Sequence, residues 1–243
     1  AFLTSSDEIL KLMMVTDAIR RANSSAKIRL EIPYLPYARQ DRVCNPGEAL
    51  GVRVIADLIN RLNFEQVVLF DPHSDVAGAL IERVSIRSQE DLVRPLVPLF
   101  SEVLPILIAP DAGAEKKVLK VAQMMDDQTG VIVEVLCASK RRDTRTGQIS
   151  ETTLHGSVEG RPVLIIDDIC DGGRTFIELA KVLKRQGATQ IYLYVTHGIF
   201  SKGLEVLEPY FDRVFCCFPF PKVKQNPNTI LKILNVEPTQ NEN

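Results

Sequence analysis

The stretch VLIIDDICDGGRTF, residues 163–176, runs four apolar residues into Asp167 and Asp168. Asp171, Gly172, Gly173, Arg174 and Thr175 follow, and then a helical pattern begins. A glycine turn that feeds a helix N-terminus is an anion cradle, because backbone N–H groups and the helix dipole both face the ligand. Two carboxylates directly off an apolar strand accept hydrogen bonds from sugar hydroxyls or lie near a metal ion. The ligand implied has vicinal hydroxyls and a phosphate. The plainer reading is an ordinary glycine turn with Asp171 or Thr175 as the helix cap.

Other polar segments sit where apolar strands end. In PYLPYARQDR, residues 33–42, Arg39 and Arg42 offer planar forks for phosphate oxygens, and Gln40 and Asp41 suit polar groups of a nucleotide. Alone, that segment reads equally as a surface turn with salt bridges. DPHSD, residues 71–75, puts His73 in a loop, and APDAG, residues 109–113, offers Asp111. The segment 139–153, SKRRDTRTGQISETT, has one large apolar residue, Ile149, and four basic ones, Lys140, Arg141, Arg142 and Arg145. It is either a solvated hairpin or a functional lid.

Positioning these groups requires alternating elements. Residues 7–22 carry apolar residues at helical spacing, with Ser5 or Ser6 as the cap. Helical patterns recur at 48–62, 115–125 and 175–186, and strand patterns at 28–32, 67–70, 106–109, 131–137, 163–166 and 191–195. This alternation predicts an α/β fold whose mostly parallel sheets carry helices on both faces. Residues 56–73 and 180–197 both read helix, turn, strand and histidine, which fits two similar halves. The two prolines at 95 and 98 suggest the boundary, giving domains 1–95 and 96–243.

Composition narrows the function classes. With 29 basic against 31 acidic residues, the net charge of −2 creates no global attraction to nucleic acid or to a membrane surface, so any anionic ligand is held locally. The five cysteines form no CxxC pair, and Cys216 and Cys217 are adjacent. That pattern suits free thiols in a reducing cytosol. The three histidines are far apart, without zinc-type cysteine partners. No apolar run approaches the ~20 residues of a membrane-spanning helix.

The Asp167–Thr175 block resembles the phosphoribosyl pyrophosphate loop shared by type I phosphoribosyltransferases and ribose-phosphate pyrophosphokinases. PYLPYARQDR resembles the ATP-binding segment of the pyrophosphokinases, and DPHSD, APDAG, SKRR and THGIFS (residues 196–201) follow in that family's order. The resemblance implies two tandem phosphoribosyltransferase-like domains, an ATP-binding front half and a ribose-5-phosphate-binding rear half. It implies transfer of pyrophosphate from MgATP to ribose 5-phosphate, feeding nucleotide and NAD synthesis.

By the same resemblance, Arg39, Gln40, Asp41 and His73 contact ATP. Asp167, Asp168, Asp171, Gly172, Gly173, Arg174 and Thr175 hold ribose 5-phosphate, and Lys140 and Arg142 stabilise the transferring group. Mg²⁺ lies near His73 and Asp111. The expected protein is a cytoplasmic homo-oligomer whose ATP site is shared between subunits. Three departures stand out: Ala114 where a second glycine is usual, Gly172 for a threonine, and Arg174 for a glycine. The family's Phe-x-Asp-Gly-Glu type segment is not found, so the front half is expected to be incomplete. The alternatives are a phosphoribosyltransferase or a non-catalytic regulatory subunit of such an enzyme.

Overall fold

The computed structural model describes residues 1–142, 149–223 and 229–236, and for 140–142 and 149–151 the backbone alone. The chain forms two compact units, Ala1–Ser88 and Gln89–Asn243. The break falls ahead of the proline pair that marks it in the sequence. Residues 89–100 belong with the second unit, where the ring of Phe100 packs on Tyr192 at 5.3 Å and on Phe215 at 6.1 Å.

The first unit comprises α1 (Ser6–Ala22), β1 (Arg29–Ile32), α2 (Gly51–Arg61), β2 (Gln66–Phe70), α3 (Asp75–Leu80) and β3 (Val84–Arg87). Helix α1 starts where Ser5 accepts the Glu8 N–H at 3.3 Å, with acids in its first turn and Arg20 and Arg21 in its last. Both placements complement the helix dipole. Helix α2 buries Val52, Ile55, Ala56 and Ile59, a single stripe at helical spacing. It covers a parallel sheet of order β1-β2-β3. Val67–Phe70 of the central strand are all buried, as expected of a strand covered on both faces.

The second unit comprises α4 (Gln89–Val93), a 3₁₀ helix (Arg94–Phe100), β4 (Ile106–Ala109), α5 (Ala112–Thr129), β5 (Val135–Arg142), β6 (Ile149–Leu154), β7 (Val163–Cys170), α6 (Arg174–Arg185), β8 (Ile191–Gly198), β9 (Arg213–Pro219) and β10 (Leu231–Ile233). Among the described residues its sheet has the order β10-β9-β8-β7-β4-β5-β6. All neighbours are parallel except β5 and β6, which pair antiparallel.

Three expectations shift. Strand β7 continues through Asp167 and Asp168 to Cys170, because its ladder with β8 runs on to Cys170 opposite Gly198. The strand predicted over 131–137 begins only at Val135. Helix α5 extends to Thr129, and the Val133 N–H is taken by the Asp126 carboxylate at 2.7 Å rather than by a ladder. Strand β8 runs past its predicted end at residue 195 to Gly198, so His197 lies inside it, buried and stacked on Phe218 at 6.0 Å.

Chain order creates a switch point. Strand β4 has β5 on one side and β7 on the other, so the connections leaving β4 and entering β7 diverge. In open parallel sheets the crevice at the carboxyl ends of such strands is where ligands bind.

Candidate functional site

At that crevice in the second unit, Asp111 caps α5, its Oδ1 accepting the N–H groups of Gly113 at 3.1 Å and Ala114 at 3.3 Å. On β7, Asp167 Oδ1 accepts the Asp168 N–H at 2.9 Å. Burial pushes the Asp167 carboxyl well above its usual range, and the charges of Asp168 and Asp111 push the same way. Asp168 and Asp111 thus both bear on Asp167. Such crowding at a ligand crevice is built for a partner that supplies positive charge or hydrogen-bond donors.

The turn after β7 is held from one side by the loop after β8. The Cys170 carbonyl accepts from Ile199 at 2.9 Å and Phe200 at 3.1 Å, and the Asp171 carbonyl accepts from Ser201 at 3.1 Å. THGIFS thus supports the phosphate-type turn through its backbone, a role that leaves no mark in residue type. Its own turn is strained at Phe200, with φ at +46°, and a Cβ at Gly198 would collide with that phenyl ring. Burial raises the Cys170 thiol to about 12, so it is no nucleophile at neutral pH.

The N-cap of helix α6 is Gly173, left-handed at φ +76°, so neither Asp171 nor Thr175 stands at the cap position that the plainer sequence reading allowed. The glycine is required twice over, since a Cβ there would meet Leu207 Cδ2 at 2.8 Å. Gly172 is less constrained, with the nearest atom to an added Cβ at 3.6 Å. Arg174 is the first helical residue and is exposed, with Thr175 next. A cation at a helix N-terminus is disfavoured by the dipole, and an anion bound there reverses the sign.

Lys140 and Arg142 lie on β5, opposite Thr152 and Ile149 of β6, with a register shift between Arg141 and Arg142. The basic segment is thus paired strand at both ends. Its middle, 143–148, lies outside the described residues, as do the side chains of Lys140 and Arg142.

In the first unit the loops after β1 and β2 converge at one sheet edge. Burial raises the Asp41 carboxyl, but the Ser74 hydroxyl, Arg42 and His73 outweigh it and hold the pKa below 3.8. Arg42 Nε stands 3.3 Å from Asp41 Oδ1. The Gln40 carbonyl accepts the Val52 N–H at 3.2 Å, tying the loop to the start of α2. Asp71 is buried at a left-handed φ of +42°, its N–H fixed to the Arg87 carbonyl at 2.8 Å. Arg39 and Gln40 are exposed and His73 is half-buried. The structure thus gathers Asp41, Arg42, His73 and Ser74.

His73 belongs to the first unit and Asp111 to the second. Among the described residues no group of three or more His, Cys, Asp or Glu is arranged to hold a metal ion. A cavity of about 400 Å³, lined by residues such as Val97, Phe100, Ile132 and Arg161, lies at the amino ends of β4, β5 and β7, away from these charged loops.

Residues 3–62 match the family model "N-terminal domain of ribose phosphate pyrophosphokinase", and residues 144–209 match "Phosphoribosyl synthetase-associated domain". A ribose-phosphate pyrophosphokinase of Rhizobium meliloti is 30% identical over 201 residues, covering 82% of this chain and 62% of that protein. One from Shewanella oneidensis is 30% identical over 200 residues, covering 81% of this chain and 61% of that protein. The chain spans less than two thirds of these relatives' length. The crystal structure of phosphoribosylpyrophosphate synthetase from Mycobacterium smegmatis shares the fold, with a TM-score of 0.77 and 23% identity over 93% of this chain and 72% of that one.

Proposed function

This chain belongs to the ribose-phosphate pyrophosphokinase family, and from that premise we propose that it makes phosphoribosyl pyrophosphate. The anomeric hydroxyl of ribose 5-phosphate attacks the β-phosphorus of MgATP, the pyrophosphoryl group passes to it, and AMP leaves. One observation carries the reading: Asp167 and Asp168 end-load β7 at a sheet switch point, with Asp111 of the neighbouring strand end bearing on Asp167, and the chain then turns through Gly173 into α6.

The protein's part is to position reactants and neutralise charge. Asp167 and Asp168 accept the ribose hydroxyls. The turn Asp171, Gly172, Gly173, Arg174 and Thr175 receives the 5-phosphate, with backbone N–H groups at the helix start and the guanidinium of Arg174 at its rim. Arg39, Gln40, Asp41 and His73 take the nucleotide, and Lys140 and Arg142 meet the charge that develops on the transferring group.

The residues fit a divalent cation. Burial, and after it the charges of Asp168 and Asp111, push Asp167 toward its protonated form, and a cation relieves the crowding. Mg²⁺ takes one or two carboxylates together with substrate phosphates rather than an all-protein cage. Asp111 in the second unit, on the sugar side, and His73 in the first, on the nucleotide side, are each the residue of its own unit that would hold such a cation. Bound there, magnesium supplies neutralisation of phosphate charge. Assembly into a homo-oligomer with subunit-shared ATP sites belongs to the same reading, and light scattering checks it.

The test is AMP formation from ATP in magnesium buffer, with and without ribose 5-phosphate, for the chain and for Lys140→Ala. AMP that depends on ribose 5-phosphate, and that falls about 10²–10³-fold in the variant, supports the reading. A folded chain that forms no AMP overturns it in favour of a non-catalytic subunit.

A further inference from the structure

Folding buries almost none of Ile132, which is 89% exposed in the turn that joins α5 to β5. Helix α5 ends at Gly130, left-handed at φ +70°. The Val131 N–H is then taken by the Thr129 hydroxyl at 3.3 Å, and the Val133 N–H by the Asp126 carboxylate at 2.7 Å. The backbone is fixed on both sides of Ile132, and its side chain is left outside.

A lone exposed isoleucine is ordinary. This one has company. Ile132, Val131 and Val103, the last two 54% and 60% exposed, line the cavity of about 400 Å³ at the amino ends of β4, β5 and β7. A second hollow of about 320 Å³ reaches Leu99 and Tyr192, at the amino end of β8, and shares residues 100–103 with the first. Gathered apolar surface of this kind marks an interaction face. Two charges complete it. Arg161, on the cavity wall, is paired with Glu134, and both stay about half exposed. One carboxylate leaves guanidinium donors to spare. Glu102, between the two hollows, is exposed and makes no ion pair among the described residues.

We infer that this face binds a second copy of the chain about a two-fold axis. Self-complementarity is the reason for that occupant. The face carries a projecting apolar group beside a hollow that fits one, and a free carboxylate beside a guanidinium with donors left over. In a two-fold contact each group meets its complement twice. Ile132 enters the cavity of the other copy, and Glu102 reaches the partner subunit's Arg161. Held outward before contact, Ile132 gives up little freedom on binding. The contact lies at the opposite end of the second unit's sheet from the candidate site, so it is distinct from the subunit-shared ATP sites and stands without them.

Light scattering on the whole chain, over a concentration series, tests this. The wild type should associate. Ile132→Asp should halve the assembly mass, while Val54→Asp, at a 63% exposed position of the first unit, should leave it unchanged. Glu102→Arg should weaken the association about tenfold, and adding Arg161→Glu should restore it, because the exchanged charges again attract. A wild-type chain that stays monomeric overturns the pairing and leaves the face to a different protein or to none. An assembly that survives Ile132→Asp overturns it too, because other faces then hold the copies. Equal loss in Val54→Asp, or no rescue by the charge exchange, also overturns it.

Discussion

Asp167 accepts the backbone N–H of Asp168 at 2.9 Å, yet the charge of that same neighbour helps to drive its carboxyl upward. The pair is joined by one hydrogen bond and divided by like charge. The strain is electrostatic, and it is relieved by a ligand or by a proton.

A pH dependence follows. The folded pKa of Asp167 lies above its usual 3.8, so the folded state holds the extra proton in the window above 3.8. Its contribution to stability is therefore greatest at low pH and declines as pH rises through the raised value. Asp167→Asn should melt a few degrees higher than wild type at pH 7, and less so toward pH 4, in scans across that range. Its affinity for ribose 5-phosphate should fall. Asp41 has the opposite sign: its pKa is lowered, so its contribution is present above 3.8 and lost below it. Asp41→Asn should flatten the acid limb of the same scan.

The two glycines of the turn separate stability from binding. Gly173→Ala forces a Cβ onto Leu207 at a left-handed φ and should cost about 1–3 kcal/mol in a urea titration. Gly172→Ala meets only ordinary contact and should stay within about 0.5 kcal/mol. Loss of ribose 5-phosphate affinity in Gly172→Ala, measured by calorimetry, would then report on the turn and not on the fold.

Gly51 lies under Gln40. A Cβ added at Gly51 would collide with the Gln40 amide oxygen, the end of a flexible side chain. Gly51→Ala should leave the unfolding midpoint nearly unchanged, because alanine suits the first turn of α2. It should raise the KM for ATP several-fold by displacing Gln40. An unchanged KM would remove Gln40 from the nucleotide site.

Arg42 is a surface group, its side chain 78% exposed beside Asp41. An exposed pair of this kind contributes little to folding. Arg42→Ala should therefore melt with wild type while its KM for ATP rises roughly tenfold, the loss expected for one charge-assisted phosphate contact.

Local chemistry made much of this protein legible. Ser5 and the apolar spacing after it announce α1, and the fully apolar run over residues 106–109 announces β4, because caps and buried strands write themselves in residue type. The residues at the strand ends could be named for the same reason, since a carboxylate pair and a glycine turn have few other uses. Asp111 shows the limit. The resemblance puts its carboxylate near a metal, and its cap on α5 emerges only when the backbone N–H groups of 113 and 114 are in place.

What only the tertiary structure decided is where long-range pairing overrules local preference. Two adjacent acids look like the end of β7, yet its ladder with β8 carries the strand past them to Cys170. Short strands such as β3 and β10 have too few residues to show a period and exist through the neighbours they pair with. The left-handed backbone of Tyr37 and the backbone hold of Ser201 on Asp171 have no signature in side-chain type. The sequence by itself determined which chemical groups are present and which elements carry them. The sheet order determined that Asp111 and Asp167 share a crevice, because that proximity is made by β4 pairing with β7, strands far apart in the chain.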